Sequence, residues 1–187
     1  MLGGRVERGQ SVLINGAAGG VGTFALQVAK SFGAHVTGVC STRNVELLRS
    51  IGADEVIDYT HEDFASTAQR YDLLFDLVGN RSLEDCLRAV QPRGAYISCG
   101  GGGPDRSTMD LLAHLLQNAV RSRFGDQKMP GLFAKINRED LAFLADLVQT
   151  GKVSPVVDRT YSLPEIAEAI RHVETGHARG KVVISVA

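Results

Sequence analysis

A doubly wound α/β fold, six parallel strands with helices on both faces, is predicted by three features of this sequence. Short apolar runs of strand length alternate with segments of helical periodicity along most of the chain. Glycines at 33 and 52 close the first two helical segments. The first strand runs directly into a glycine-dense turn and a helix start.

Ser11 to Asn15 is the first strand, and the helix after it carries Val21, Ala25, Val28, Ala29 and Phe32 as a core stripe. Ala34 to Val39 is a second strand, Val45 to Ile51 a short helix and Glu55 to Ile57 a third strand. Glu62 to Gln69 is read as helical. Asp72 to Leu77 is a nearly continuous apolar strand, as expected where both sheet faces are covered. Ser82 caps a helix that buries Leu83, Cys86, Leu87 and Val90. A turn at Pro92-Arg93-Gly94 leads into a fifth strand, Ala95 to Cys99, and a loose loop from Gly100 to Pro104. Met109 to Gln117 is helical and Ala119 to Phe124 is the sixth strand, which fits the order 3-2-1-4-5-6 with right-handed crossovers.

The last quarter departs from this rhythm. A loop from Gly125 to Asn137 precedes a helix, Arg138 to Thr150, with Leu141, Leu144, Ala145 and Val148 on its buried face. Then come a strand from Val156 to Tyr161, a helix with Ile166, Ala169, Ile170 and Val173, and a strand from Lys181 to Val186. The division expected is a cofactor-binding α/β domain over residues 1–155 and a strand-helix-strand segment over 156–187.

The chemistry is concentrated in Gly16-Ala17-Ala18-Gly19-Gly20-Val21-Gly22. A helix start gathers unpaired N–H groups and the positive end of the helix dipole, which suits a phosphate. Small residues let the backbone approach a pyrophosphate. Against G-x-G-x-x-G the frame is Ala17, Gly19, Gly22, with alanine for the first glycine. A purely structural turn would explain one or two of these glycines.

In such folds an acid at the end of the second strand bonds the ribose 2′-hydroxyl of NAD. Here the tip offers Ser41, Thr42 and Arg43, with no carboxylate before Glu46. A guanidinium grips a 2′-phosphate as a fork, so NADP(H) is the cofactor expected. Leu77-Val78-Gly79 after the fourth strand and Cys99-Gly100-Gly101 after the fifth should edge the nicotinamide half, since both follow strand ends that line the crevice.

Bulk properties narrow the classes. The 187 residues carry a net charge of −1 with scattered basic residues, which argues against a nucleic-acid surface. At 44% hydrophobic, and with no apolar run of membrane-spanning length, a globular domain is expected. Met1 to Arg5 lack the apolar core of a signal peptide, so a cytoplasmic location is expected. Cys40, Cys86 and Cys99 form no C-x-x-C pair, and the five histidines form no H-E-x-x-H, so neither a disulfide framework nor a metal site is expected. No Tyr-x-x-x-Lys stands in the chain, which removes short-chain dehydrogenase chemistry, and no Gly-Lys-Ser/Thr follows the turn, which removes a P-loop. A methyltransferase with a glycine turn is the remaining outsider.

Three motifs in order resemble the medium-chain dehydrogenase/reductase superfamily in its quinone oxidoreductase-like, zinc-type alcohol dehydrogenase-like branch. They are Val12 to Gly22, Gly52-Ala53-Asp54-Glu55-Val56-Ile57-Asp58-Tyr59, and Gly176-His177-Ala178-Arg179-Gly180-Lys181-Val182-Val183. The resemblance implies a place for Tyr59 near the adenosine phosphate. It also implies an N-terminal GroES-like catalytic domain, which would hold most zinc ligands where the family has them. This chain is expected to be the cofactor domain without it, its C-terminal strands deprived of their usual sheet and open to a second copy or to the missing domain. The activity implied is zinc-independent hydride transfer from NADPH to a quinone or α,β-unsaturated carbonyl, with the small-molecule substrate in the cleft between domains and no general acid identified in this chain. The alternative is a non-catalytic NADP(H)-binding module or one half of a two-chain reductase.

Overall fold

In a computed structural model of the protein, residues 6–99, 127–129 and 137–186 are described. Strand β1 (Ser11–Asn15) lies at the middle of a parallel sheet ordered β3-β2-β1-β4-β5. Its neighbours are β2 (His35–Cys40) and β4 (Tyr71–Asp76), with Ile14 opposite Gly38 on one side and Phe75 on the other. Strand β3 (Glu55–Asp58) flanks β2, and β5 (Val90–Ser98) flanks β4. Alternate side chains of β1 feed opposite cores. Val12 and Ile14 join Leu26, Val36 and Leu48, while Leu13 joins Val39, Ile57, Tyr71, Leu74 and Cys86. Helices α1 (Gly22–Ser31) and α2 (Val45–Ser50) cover the first face, and α3 (Leu83–Arg88) the second. The doubly wound α/β architecture is thus present. Its described strands number five.

The expected sixth strand, Ala119 to Phe124, and the helix Met109 to Gln117 lie outside the described residues, as do Gly100 to Pro104. On the side of β5 away from β4, Lys128 makes an isolated parallel bridge to Ala95, its N–H donating to the Gly94 carbonyl at 2.8 Å. The turn expected at Pro92-Arg93-Gly94 is instead an irregularity inside β5, with Arg93 at φ +67° and the register against β4 shifted between Tyr71 and Leu73.

Other expectations are corrected. Glu62 to Gln69 forms only a 3₁₀ turn, Phe64–Ser66, because Asp63 caps a single turn through the Ala65 N–H and Thr67 is already extended. On α1 the inward face carries Thr23, Leu26, Gln27 and Ala29, whereas Val21 precedes the helix on the exposed lip of the turn. Phe32 is also exposed and stacks on Phe143 at a centroid distance of 5.7 Å.

Helix α4 (Arg138–Gln149), capped by Asn137 on the Asp140 N–H, buries Leu147 and leaves Leu141, Leu144, Ala145 and Val148 exposed. In α5 (Ile166–Glu174) Ala169 is buried, while Ile166, Ile170 and Val173 are exposed. An amphipathic helix buries its stripe only where another layer meets it, and no described layer covers these stripes. Strands β6 (Val157–Ser162) and β7 (Lys181–Ser185) pair in parallel as a separate two-stranded sheet with α5 as their crossover.

Candidate functional site

The sheet changes winding direction at β1, between β2 and β4, so the crevice at the carboxyl ends of β1 and β4 is where a doubly wound sheet takes a ligand. The glycine turn opens there, and its glycines have different physical causes. Gly16 sits at φ +85°, and a side chain on it would meet Val78 Cγ2 at 2.8 Å. Gly22 is buried where a Cβ would stand 2.2 Å from the Gly16 carbonyl oxygen, so β1 and α1 could not meet as they do with any larger residue. Gly20 faces the C-terminal segment, with the Gly180 carbonyl 2.9 Å from its Cβ position. Gly19 has no such internal cause: its nearest neighbour would be the Gly16 oxygen at 3.4 Å, an ordinary contact.

Alanine in the first glycine position also has a cause. Ala17 is buried over β2, its N–H donating to Val39 O at 3.1 Å, and the bare Cα of Gly38 leaves room for its methyl. Ala18 is likewise buried, and its carbonyl accepts the Gly180 N–H at 2.9 Å.

Two observations fit the turn to the phosphates of a dinucleotide. Among the described residues, the N–H groups of Gly20, Val21 and Gly22 have no protein acceptor; the next one, on Thr23, already bonds Gly19 O at 3.0 Å. Unsatisfied amides at the start of a helix are phosphate donors. Beside them, Gly19 leaves a side-chain volume that the protein does not use.

The structure brings the adenosine-side candidates together. Ser41, partly buried, leads into a 3₁₀ turn and accepts a hydrogen bond from Asn44 Nδ2 at 3.2 Å. The exposed Thr42 meets Thr60 through their hydroxyls at 2.9 Å, and Tyr59, exposed, is anchored beside β2 by its N–H on Cys40 O at 3.0 Å. Arg43 reaches the C-terminal segment, its Nη2 donating to His177 O at 2.7 Å. One acid near this corner escapes a reading of β2 alone: Asp58, at the end of β3, pairs in register with Cys40. Burial works to raise its carboxyl, but hydrogen bonds from Thr42 and Thr60 outweigh that and hold it below the usual carboxylate range. Thr60 donates to it with both its N–H (3.0 Å) and its hydroxyl (2.7 Å).

On the nicotinamide side, Leu77 is tied by its N–H to Asn15 O at 3.1 Å, and the Cys99 N–H donates to Asp76 O at 2.8 Å. Gly100 and Gly101 lie outside the described residues. The group that holds this corner is Asp76, buried at the end of β4 and absent from the candidates drawn from sequence. Its Oδ1 accepts from Asn15 Nδ2 (2.9 Å) and from the N–H groups of Val78 (3.1 Å) and Gly79 (2.9 Å), while Oδ2 accepts from the Tyr96 hydroxyl at 3.1 Å. A carboxylate directly after the apolar run Leu73-Leu74-Phe75, at the carboxyl end of the strand, was the available signal.

Burial pushes the thiol of Cys40 up to about 11 and that of Cys86 up to about 12, so both stay protonated at neutral pH. Among the described residues no three His, Cys, Asp or Glu side chains gather as a metal site would require, and no helix is long and apolar enough to cross a membrane. The described residues therefore offer no zinc ligand set.

The comparisons point one way. The zinc-binding dehydrogenase family profile matches residues 51–184. A mitochondrial NAD(P)H oxidoreductase of Mus musculus, RTN4IP1, is 38% identical across 96% of this chain and 48% of its own length. The trans-enoyl reductase pgmF of Aspergillus terreus is 34% identical across 95% of this chain and 52% of its own length. A solved quinone oxidoreductase from Coxiella burnetii superposes with a TM-score of 0.79 at 32% identity, over 97% of this chain and 54% of that one. The chain thus spans about half the length of these relatives. The expectation of a cytoplasmic location is overturned, because the RTN4IP1 proteins of four vertebrates, 36–38% identical to this chain, are mitochondrial.

Proposed function

Since the chain belongs to the zinc-binding dehydrogenase family of medium-chain dehydrogenases/reductases, we propose that it is the NADPH-binding part of an oxidoreductase that reduces a quinone or α,β-unsaturated carbonyl without zinc. The observation that carries this reading is the start of α1, where, among the described residues, three N–H groups lack a protein acceptor and nothing fills the space beside Gly19. Hydride transfer is the chemistry such a cofactor supplies when bound. The chain's own part is binding and orientation. Amides of Gly20, Val21 and Gly22 take the pyrophosphate, Ser41, Thr42 and Arg43 the 2′-phosphate, and Tyr59 flanks the adenosine. The loop fixed by Asp76, together with Cys99, edges the nicotinamide ring. NADP(H) is favoured over NAD(H) by the free faces of the Arg43 guanidinium and by the Thr60 bonds that occupy Asp58.

The acceptor class follows the names of relatives, which include quinone and trans-enoyl reductases. Relatives at 36–38% identity support a mitochondrial location. Residues 1–155 form the cofactor domain in this reading, and 156–187 a segment that docks on it and on a further domain or second copy. A non-catalytic module, or one half of a two-chain reductase, is the second reading. It is favoured by the apolar stripes of α4 and α5, uncovered among the described residues.

Titration of the chain with NADPH and NADH, followed by nicotinamide fluorescence, tests the first reading. Saturable NADPH binding with weaker NADH binding supports it, and no binding of either overturns it. Metal analysis of the purified chain, alone and within a protein of its relatives' full length, tests zinc independence, which stoichiometric zinc at the reacting site would refute.

A further inference from the structure

Arg43 is anchored on a segment that is itself tied at both ends. The His177 carbonyl, which accepts from Arg43 Nη2 at 2.7 Å, lies in the connection between α5 and β7. Upstream of it, the Thr175 hydroxyl donates to His172 O at 2.6 Å and accepts the His177 N–H at 3.3 Å. Downstream, the Arg179 N–H donates to Asp158 Oδ2 at 3.2 Å. The same oxygen accepts from His172 Nε2 at 2.7 Å. A carboxylate can only accept, so that ring nitrogen carries the proton.

His172 thus closes a ring of contacts. Its backbone holds one end of the connection, and its side chain, through Asp158 on β6, holds the other. The pair is partly buried, where charge-assisted bonds are screened less than at open surface. Gly180 then donates to Ala18 O at 2.9 Å, which fixes the connection to the glycine turn as well. Arg43 depends on this support. Among the described residues its exposed guanidinium makes the one bond to His177 O and no ion pair. An exposed arginine held by nothing loses rotamer freedom when a ligand orders it, and an acceptor that orders it beforehand removes part of that cost.

We propose that Asp158 and His172 are positioning residues for cofactor choice: by fixing the connection that carries the His177 carbonyl, they hold Arg43 ready for a 2′-phosphate and so strengthen the preference for NADP(H) over NAD(H). This rests on the reading of Arg43 as the 2′-phosphate residue. The C-terminal segment then has a task in specificity as well as in packing, performed through one backbone carbonyl.

Fluorescence titration with NADPH and NADH of Asp158→Ala, Asp158→Asn, Arg43→Ala and the Asp158→Ala/Arg43→Ala double variant tests the assignment. Asp158→Ala is expected to weaken NADPH about fivefold and leave NADH unchanged. That is less than removing the guanidinium, because a released arginine still reaches the phosphate but must be ordered by it. Asp158→Asn keeps an acceptor oxygen and should recover most of the NADPH affinity. With Arg43→Ala already in place, Asp158→Ala should change nothing further, the non-additivity of residues that act through one contact. A merely structural Asp158 would weaken both dinucleotides together. That result overturns the proposal, as does a loss that persists without Arg43 or an NADPH affinity that does not move. Should Asp158→Ala fail to fold, Thr175→Val unties the upstream end alone and is judged by the same outcomes. An Arg43→Ala variant that binds NADPH as wild type overturns the proposal while leaving the dinucleotide reading intact. A wild-type chain that binds neither dinucleotide removes both.

Discussion

Gln27 in α1 clasps Ser154 from both sides, its Nε2 donating to Ser154 O at 3.0 Å and its Oε1 accepting from Ser154 N at 2.8 Å. The two residues are 127 positions apart, and the amide is buried. The clasp holds the approach to β6 onto the helix that begins at the glycine turn. Gln27→Leu keeps the bulk but orphans both backbone groups of Ser154. Ser154 itself is exposed and both bonds are only part-buried, so the loss is that of ordinary hydrogen bonds, about 1 kcal/mol. A urea midpoint lowered by that amount is expected, and an unchanged midpoint would show that the clasp contributes nothing net.

Arg43 tests cofactor choice. Its guanidinium uses one N–H on His177 O, which leaves the rest of the fork for a phosphate. Arg43→Ala is expected to weaken NADPH about tenfold and leave NADH unchanged, on the scale of one charge-assisted hydrogen bond. Equal effects on both, in parallel fluorescence titrations, would move the 2′-phosphate contact elsewhere.

The glycines of the turn separate fold from function. Gly22→Ala forces a methyl against the Gly16 carbonyl, so a chain that melts well below wild type is expected from the clash. Gly19→Ala meets only ordinary contacts, so its melting temperature should stay near wild type while dinucleotide binding is lost. Paired thermal melts and NADPH titrations read both. A Gly19→Ala variant that binds as wild type would mean the space beside Gly19 is not a phosphate approach.

Much of this was legible locally. The path from β1 through the turn into α1 is set by neighbouring residues, and Ser82 caps α3 on the Asp85 N–H as its spacing implies. What escaped was set at long range. Gly20 is a glycine because of Gly180, and Arg43 is positioned by His177; neither fact has a local sign. The stripe on α1 was misread because its inward face includes Thr23 and Gln27, polar residues satisfied by Gly19 O and Ser154. Glu62 to Gln69 failed as a helix because Asp63 offers its carboxylate to a single turn.

Asp76 should prove costly to remove. Four donors converge on a carboxylate with no exposed surface, and three of them belong to Asn15, Val78 and Gly79 around the crevice. Asp76→Ala orphans them together, and since each buried donor left unpaired costs about 1–3 kcal/mol, a loss of at least about 3 kcal/mol is expected. Asp76→Asn keeps the volume and can keep the bonds at Oδ1, so it should recover most of the stability. Denaturant unfolding of both variants decides this, and equal losses would mean that the charge rather than the hydrogen-bond count is what the site needs.

Acid should weaken the fold through carboxylates held low in the native state. Burial works to raise Asp54, but hydrogen bonds from Lys30 and the Val36 N–H, with the Lys30 charge, outweigh it and leave the carboxyl below its usual range. The same balance holds for Asp158, where burial is outweighed by its bonds from His172 and the Arg179 N–H. In the unfolded chain such carboxyls titrate near ~4. The folded state binds fewer protons there, so the stabilisation is complete above ~4 and is lost as pH falls through the lower folded values. Urea midpoints should therefore stay level in this respect from pH 7 to 5 and fall below pH 4. Asp54 and Lys30 are each about a third exposed, so solvent screens their pair and Asp54→Asn should cost about 1 kcal/mol or less at pH 7. The variant should also lose stability less steeply in acid, because it no longer carries the proton-linked group. An acid limb as steep as wild type in Asp54→Asn would assign the linkage to other carboxylates, with Asp158→Asn as the next to measure.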